Sequence, residues 1–152
     1  MIKDLLRFIE IDNDTVQRGG EIWQLLEPRA DTIVHAFYVR MRNFKIGSEM
    51  TDPVIGRLKI KQKQHWASLF GSKFDDEYAN SVRRVGIQHR DINLDPMWYV
   101  AGYMTLKIAF AEALANTALP PIKKTKLLQA LDKYIALDIA LALSAYGAVV
   151  FD

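Results

Sequence analysis

Apolar residues recur every three or four positions along almost the whole chain, the spacing of one face of an α-helix. No stretch alternates apolar and polar residues with β-branched enrichment, so the pattern predicts an all-α fold without strands. Asp12 to Asp14 can cap a first helix carrying Val16, Ile22, Trp23 and Leu26. Glu27-Pro28 is expected to end it, with Pro28 opening a second helix that turns Ile33, Val34, Phe37, Tyr38 and Met41 inward and ends near Phe44. Lys45 to Thr51 reads as a loop. Asp52-Pro53 then caps and starts a third helix with Ile55, Leu58, Gln62, His65 or Trp66, and Leu69 inward, stopped by Gly71-Ser72. Asp75 and Asp76 place negative charge where a fourth helix begins, which its dipole favours, and the stripe there is Tyr78, Val82, Val85 and His89. Asn93-Leu94-Asp95-Pro96 is a stop followed by a new cap. The fifth helix is expected from Pro96 to about Asn116, with Met97, Ala101, Met104 and Ile108 as its inward stripe, and Pro120-Pro121 opens a sixth.

The second half of that sixth helix is apolar nearly all round: Ile135, Leu137, Ile139, Leu141, Leu143, Tyr146, Val149. Such a helix must be covered on more than one side, by the core and by a second subunit or further domain. The run from Tyr134 to Phe151 is long enough to raise the question of a membrane span. Asp138 inside it argues against one, because a bilayer penalises a central carboxylate by about 2.5–3.5 kcal/mol. The N-terminal MIKDLLRFIEID breaks its apolar residues with Lys3, Asp4, Arg7 and Glu10 and has no signal-peptide core. A buried helix and a cytoplasmic protein are therefore expected. The 152 residues suit one domain, 1–152, and an apolar fraction of 50% is too high for a disordered chain. A net charge of +2, with acids and bases mixed, makes no electrostatic case for nucleic acid. The absence of cysteine removes disulfides, thiolate metal sites, iron–sulfur clusters and cysteine nucleophiles together.

Little conventional site chemistry is visible. Gly19-Gly20 lacks the strand and the lysine of a phosphate loop. His35, His65 and His89 form no i, i+4 pair of the zinc-helix kind, and no serine sits in a nucleophile elbow. The acids Asp75, Asp76 and Glu77 read as a capping cluster. His89 is the odd residue, because it ends an apolar stripe and so points where Val82 and Val85 point. A satisfied core histidine is the commoner role for such a position. The sharper role is an axial ligand to a haem iron, whose second ring nitrogen needs an acceptor to fix the tautomer. Tyr38 poses the same choice between a core tyrosine bonded to a backbone carbonyl and a hydrogen-bond donor to a gas bound on the far side of a haem.

The segments LRFIEID, LLEPRADTIVHAFYVRM, QHWASLFGSKFDDEY and VGIQHRDINLDPMWYVAGY, spread over nearly the whole chain, resemble the sensor globins, the haem domains of globin-coupled sensors. The last two are the most specific, with a histidine five residues before Leu94, then Pro96 and the Trp98-Tyr99 pair. The resemblance implies a globin fold with haem b held between the third and fourth helices. It implies His89 as the proximal iron ligand, Tyr38 as the distal tyrosine and Tyr99 as an inner-pocket residue near His89. Helical stripe and resemblance thus agree on His89 independently. Leu58 and Gln62 would face the distal side. Gln62 departs from the apolar or small hydroxyl residue of many relatives, and its amide would either add a second donor or turn Tyr38 aside. Lys59, Lys61 and Lys63 make that helix basic; two read as a solvated face, and Lys61 as a partner for a haem propionate. Phe37, Leu58, Val85, Met97 and Met104 would supply apolar walls, although a haem-free core would be equally apolar. His65-Trp66 matches the family's HW and reads as packing. Family members dimerise through their last two helices, which would cover the apolar sixth helix.

The function these features imply first is a haem-based gas sensor, most simply for O2, with CO or NO as further ligands. Its signal would pass through a helical homodimer interface to an output domain absent from this chain or to a separate partner. A haem-free globin-like interaction module is the second reading. A haem enzyme such as a nitric oxide dioxygenase or a peroxidase ranks below both, since no reductase domain is attached and no distal acid–base group is clearly placed.

Overall fold

The computed structural model describes residues 2–148, with side chains through Tyr146. Val149 to Asp152, the last stretch of the apolar tail noted above, lie outside the described residues. The described residues form six helices: α1 (Ile2–Ile9), α2 (Asn13–Met41), α3 (Asp52–Phe70), α4 (Asp76–Asp91), α5 (Pro96–Ala115) and α6 (Pro121–Ala148). No strand occurs among the described residues.

Their start signals are the ones capping chemistry favours. Asp12 accepts from the backbone N–H of Thr15 at 2.9 Å, Asp75 from that of Tyr78 at 3.0 Å, and Asp95 from that of Met97 at 2.8 Å. Thr51, not Asp52, is the cap of α3, and Asp52 instead bonds Arg42 at 2.6 Å across the preceding loop.

Pro28 does not divide the chain. It lies inside α2, a single helix of 29 residues and thus about 43 Å long. An interior proline costs about 3 kcal/mol or more. Ile22, Leu26, Ala30, Val34 and Tyr38 form one unbroken buried row at four-residue spacing across it. Each large member contributes roughly 1.5–3 kcal/mol on burial, so the row outweighs the proline. The second predicted helix is therefore the continuation of the first, and it ends at Met41, short of Phe44. The count of six is kept by α1, whose Ile2, Leu5, Leu6 and Ile9 pack on the core.

The fifth helix carries the largest correction. Tyr99, Tyr103, Leu106, Phe110 and Leu114 are its buried stripe. The expected inward stripe lies on the opposite side: Met97 is 63% exposed, Met104 38% and Ile108 62%. Both stripes have helical spacing, and α5 is apolar on both, so periodicity alone could not choose between them. The sixth helix, by contrast, packs against all five other helices of its own chain. No described helix is long and apolar enough to cross a membrane.

α4 comes tight against α6 at Gly86, where a Cβ would overlap the carbonyl oxygen of Ala142. The obstacle is backbone, so it cannot swing aside. Gly86→Ala is expected to destabilise the fold by about 1–3 kcal/mol and to displace the turn that carries His89. A urea melt indistinguishable from wild type would show that the two helices separate freely.

Candidate functional site

His89 sits in the last turn of α4, and the way that helix ends fixes its place. Asn93 adopts φ 59°, a left-handed conformation that asparagine tolerates. The N–H of Leu94 bonds the His89 carbonyl at 3.0 Å and the N–H of Asn93 bonds the Arg90 carbonyl at 2.8 Å. This is the paired closure of a Schellman motif, built on Asn93 where glycine is commoner.

The imidazole is half-buried, with Nδ1 2.8 Å from the Val85 carbonyl oxygen. A carbonyl can only accept, so this hydrogen bond requires the proton on Nδ1. In the neutral ring Nε2 then keeps its lone pair, the arrangement a metal-bound histidine needs. Tyr99 presses on the ring from α5 in an edge arrangement, centroids 5.2 Å apart at 62°. The donor set thus fits an iron ligand: one oriented imidazole, with its second nitrogen already satisfied.

Tyr38 lies on the buried row of α2 and is 7% exposed. Burial pushes its phenol up to about 12, so the hydroxyl keeps its proton near neutral pH. Phe37 is half-buried beside it, with ring centroids 5.2 Å apart at 70°. Gly102 of α5 comes close to the Phe37 ring. Leu58 is partly buried against the core, Gln62 and Val85 are half-buried, and Lys61 is exposed. Lys63 is engaged with Asp31 at 3.1 Å. Met97 and Met104 do not join this group, since the orientation of α5 carries them to its outer face.

A second polar cluster is visible in the sequence only through Asp138, the carboxylate inside the apolar run. Asp138 of α6 is 1% exposed, and three side chains from three other helices converge on it. Tyr78 of α4 donates to Oδ1 at 2.9 Å, Tyr103 of α5 donates to Oδ2 at 2.5 Å, and His65 of α3 meets Oδ2 through Nε2 at 2.7 Å. Burial draws the His65 imidazolium down, but the charge of Asp138 and the hydrogen bond to it prevail, and the net direction is up. Burial, then the same carboxylate, pushes the Tyr78 and Tyr103 phenols far above their ordinary range. His65 is therefore more than packing, whereas its neighbour Trp66 is fully buried against Phe110 as expected. The four partners are 13 to 73 residues apart, and no local spacing links them; an acid in the apolar second half of α6 was the available signal.

Solved structures share this architecture. The globin domain of the Geobacter sulfurreducens globin-coupled sensor superposes with a TM-score of 0.86 at 15% identity, covering 95% of this chain and 96% of that one. The ferric globin domain of E. coli DosC superposes with a TM-score of 0.80 at 13% identity, covering 94% of this chain and 97% of that one. At such identities the likeness shows the fold, and the fold is that of a globin. The family model described as Protoglobin matches residues 1–149, and the chain belongs to that family. The heme-based aerotactic transducer HemAT of Halobacterium salinarum is 27% identical over 114 residues, 73% of this chain. The chain spans 23% of that protein's length. The all-α globin architecture and the sensor-globin resemblance of the sequence are borne out at the level of fold and family.

Proposed function

We propose that this chain is a haem-b gas-sensor domain that binds O2, with CO and NO as alternative ligands, and passes the signal on without turnover. The observation that carries the reading is the His89 imidazole, with Nδ1 tied to Val85 and Nε2 left with its lone pair. A bound haem would supply an iron able to take a diatomic gas reversibly. The chain's own contribution is His89 to hold it, Tyr38 as a protonated donor on the other side, and Phe37, Leu58 and Val85 as apolar wall. We assign Gln62 of α3 as a second donor and Lys61 of the same helix as a propionate partner. The sensor names of the relatives support the gas-sensing part.

The output, enzymatic or not, is assigned to another domain or a separate partner, and residues 1–152 to one sensor unit. We assign the dimer contact to the last two helices. The outward apolar stripe of α5, Met97, Met104 and Ile108, supports this better than α6, which its own chain covers.

An absorption spectrum of the purified protein, before and after dithionite and CO, tests the reading. A Soret band that shifts with gas is expected. None, even after reconstitution with haemin, would leave the haem-free interaction module in its place. Tyr38→Phe is expected to speed O2 dissociation roughly 5–150-fold, the equivalent of losing a donor worth about 1–3 kcal/mol. Stopped-flow rates equal to wild type would remove Tyr38 from the role.

A further inference from the structure

We propose that Asp138 is a positioning residue for the gas-binding site, acting through Tyr103 and Tyr99 on the back of the His89 imidazole. The proposal rests on the reading of His89 as the iron ligand.

A buried carboxylate is an expensive way to fill a helix interface. Its desolvation costs several kcal/mol, and apolar residues of similar volume often serve stability as well or better. What a carboxylate adds is direction, since its oxygens take donors only along defined lines. Here Oδ2 holds the Tyr103 hydroxyl at 2.5 Å and Oδ1 holds that of Tyr78 at 2.9 Å. Tyr103 stands edge-on to Tyr99, one turn away on α5, with centroids 6.0 Å apart at 87°. Tyr99 in turn stands against His89 at 5.2 Å and 62°.

The His89 ring is pinned at Nδ1 by a carbonyl of its own helix. That bond leaves the ring free to swing about it, and the Tyr99 edge limits the swing. Tyr99 is flanked by Tyr103 edge-on and by Tyr146 of α6 at 6.1 Å, and of these two it is Tyr103 that Asp138 holds. The second tyrosine on the carboxylate, Tyr78, packs on Phe74 at the far end of α4 and has no ring contact with Tyr99. Two hydroxyls therefore meet one carboxylate, and of the two rings only that of Tyr103 stands directly against Tyr99.

The test uses that difference. Tyr103→Phe and Tyr78→Phe each remove one buried hydroxyl from Asp138, and both keep the ring. The wild-type Soret band decides the haem reading by itself. In the ferrous, gas-free protein the iron–histidine stretching frequency, read by resonance Raman, is expected to shift in Tyr103→Phe and in Asp138→Asn and to stay in Tyr78→Phe. An unshifted frequency in Tyr103→Phe, or an equal shift in Tyr78→Phe, overturns the positioning role and leaves the haem reading intact. Should the protein carry no haem, the ring-proton NMR shifts of His89 in the protein as purified decide the same question. Movement in Tyr103→Phe alone supports the role, and its absence overturns it. If Asp138→Asn fails to fold, the contrast between the two tyrosine variants still gives the answer.

Discussion

The His89→Ala protein is expected to leave purification without the Soret band that the wild type retains, and added imidazole is expected to restore part of it. The reasoning begins at the other nitrogen. Nδ1 is committed to the Val85 carbonyl at 2.8 Å, so the ring presents Nε2 as a lone-pair donor in a fixed direction. Removing an outer partner of a metal ligand typically costs roughly 10–100-fold in affinity, and removing the ligand itself costs more. Imidazole fits the space the side chain leaves and supplies the same nitrogen without the tether. A variant spectrum identical to the wild type would place the iron ligand elsewhere.

Asp138→Ala is expected to destabilise the fold by about 3–5 kcal/mol, because it leaves two buried tyrosines and the partly buried His65 facing a void. Set against a typical total of about 5–15 kcal/mol, that is a large share. Asp138→Leu is expected to lose less, since it refills the volume. The pair with His65 also gives the stability a pH dependence of known sign. The folded protein holds the His65 proton more tightly than the unfolded chain does, so its pKa is raised on folding. The resulting stabilisation is fully present below the unfolded value of about 6.5 and is lost as pH rises through the folded one. Urea titrations of wild type and His65→Gln across this range should therefore differ most at the acid end and converge towards alkaline pH. A constant difference from acid to alkaline pH would show that the pair carries no proton-linked stability.

Much of this molecule was legible before any coordinates. The helix starts at Asp12, Asp75 and Asp95 follow from local chemistry, as does the stop at Asn93, because caps are made within three or four residues. The stripes of α3 and α4 were legible too, since each has one apolar side. Pro28 misled because its local penalty is real and the burial that outweighs it is spread over seventeen residues and three partner helices. The α5 face misled because that helix has two apolar sides, and choosing between them needs the neighbours. In the site, His89 and Tyr38 could be read from stripes together with resemblance. The Asp138 cluster could not, because its members come from four helices and only the fold brings them together.

One consequence of that cluster concerns how this sequence can change. Three side chains share a single acceptor, so the value of each depends on whether that acceptor is present. Once Asp138 is lost, the hydroxyls of Tyr78 and Tyr103 and the Nε2 of His65 lose this acceptor, and losing those polar groups while keeping the rings becomes nearly free. While it is present, each is costly. The four positions should therefore behave epistatically, held together as a set or surrendered together. In a deep mutational scan they would stand out as a covarying group spread over four helices.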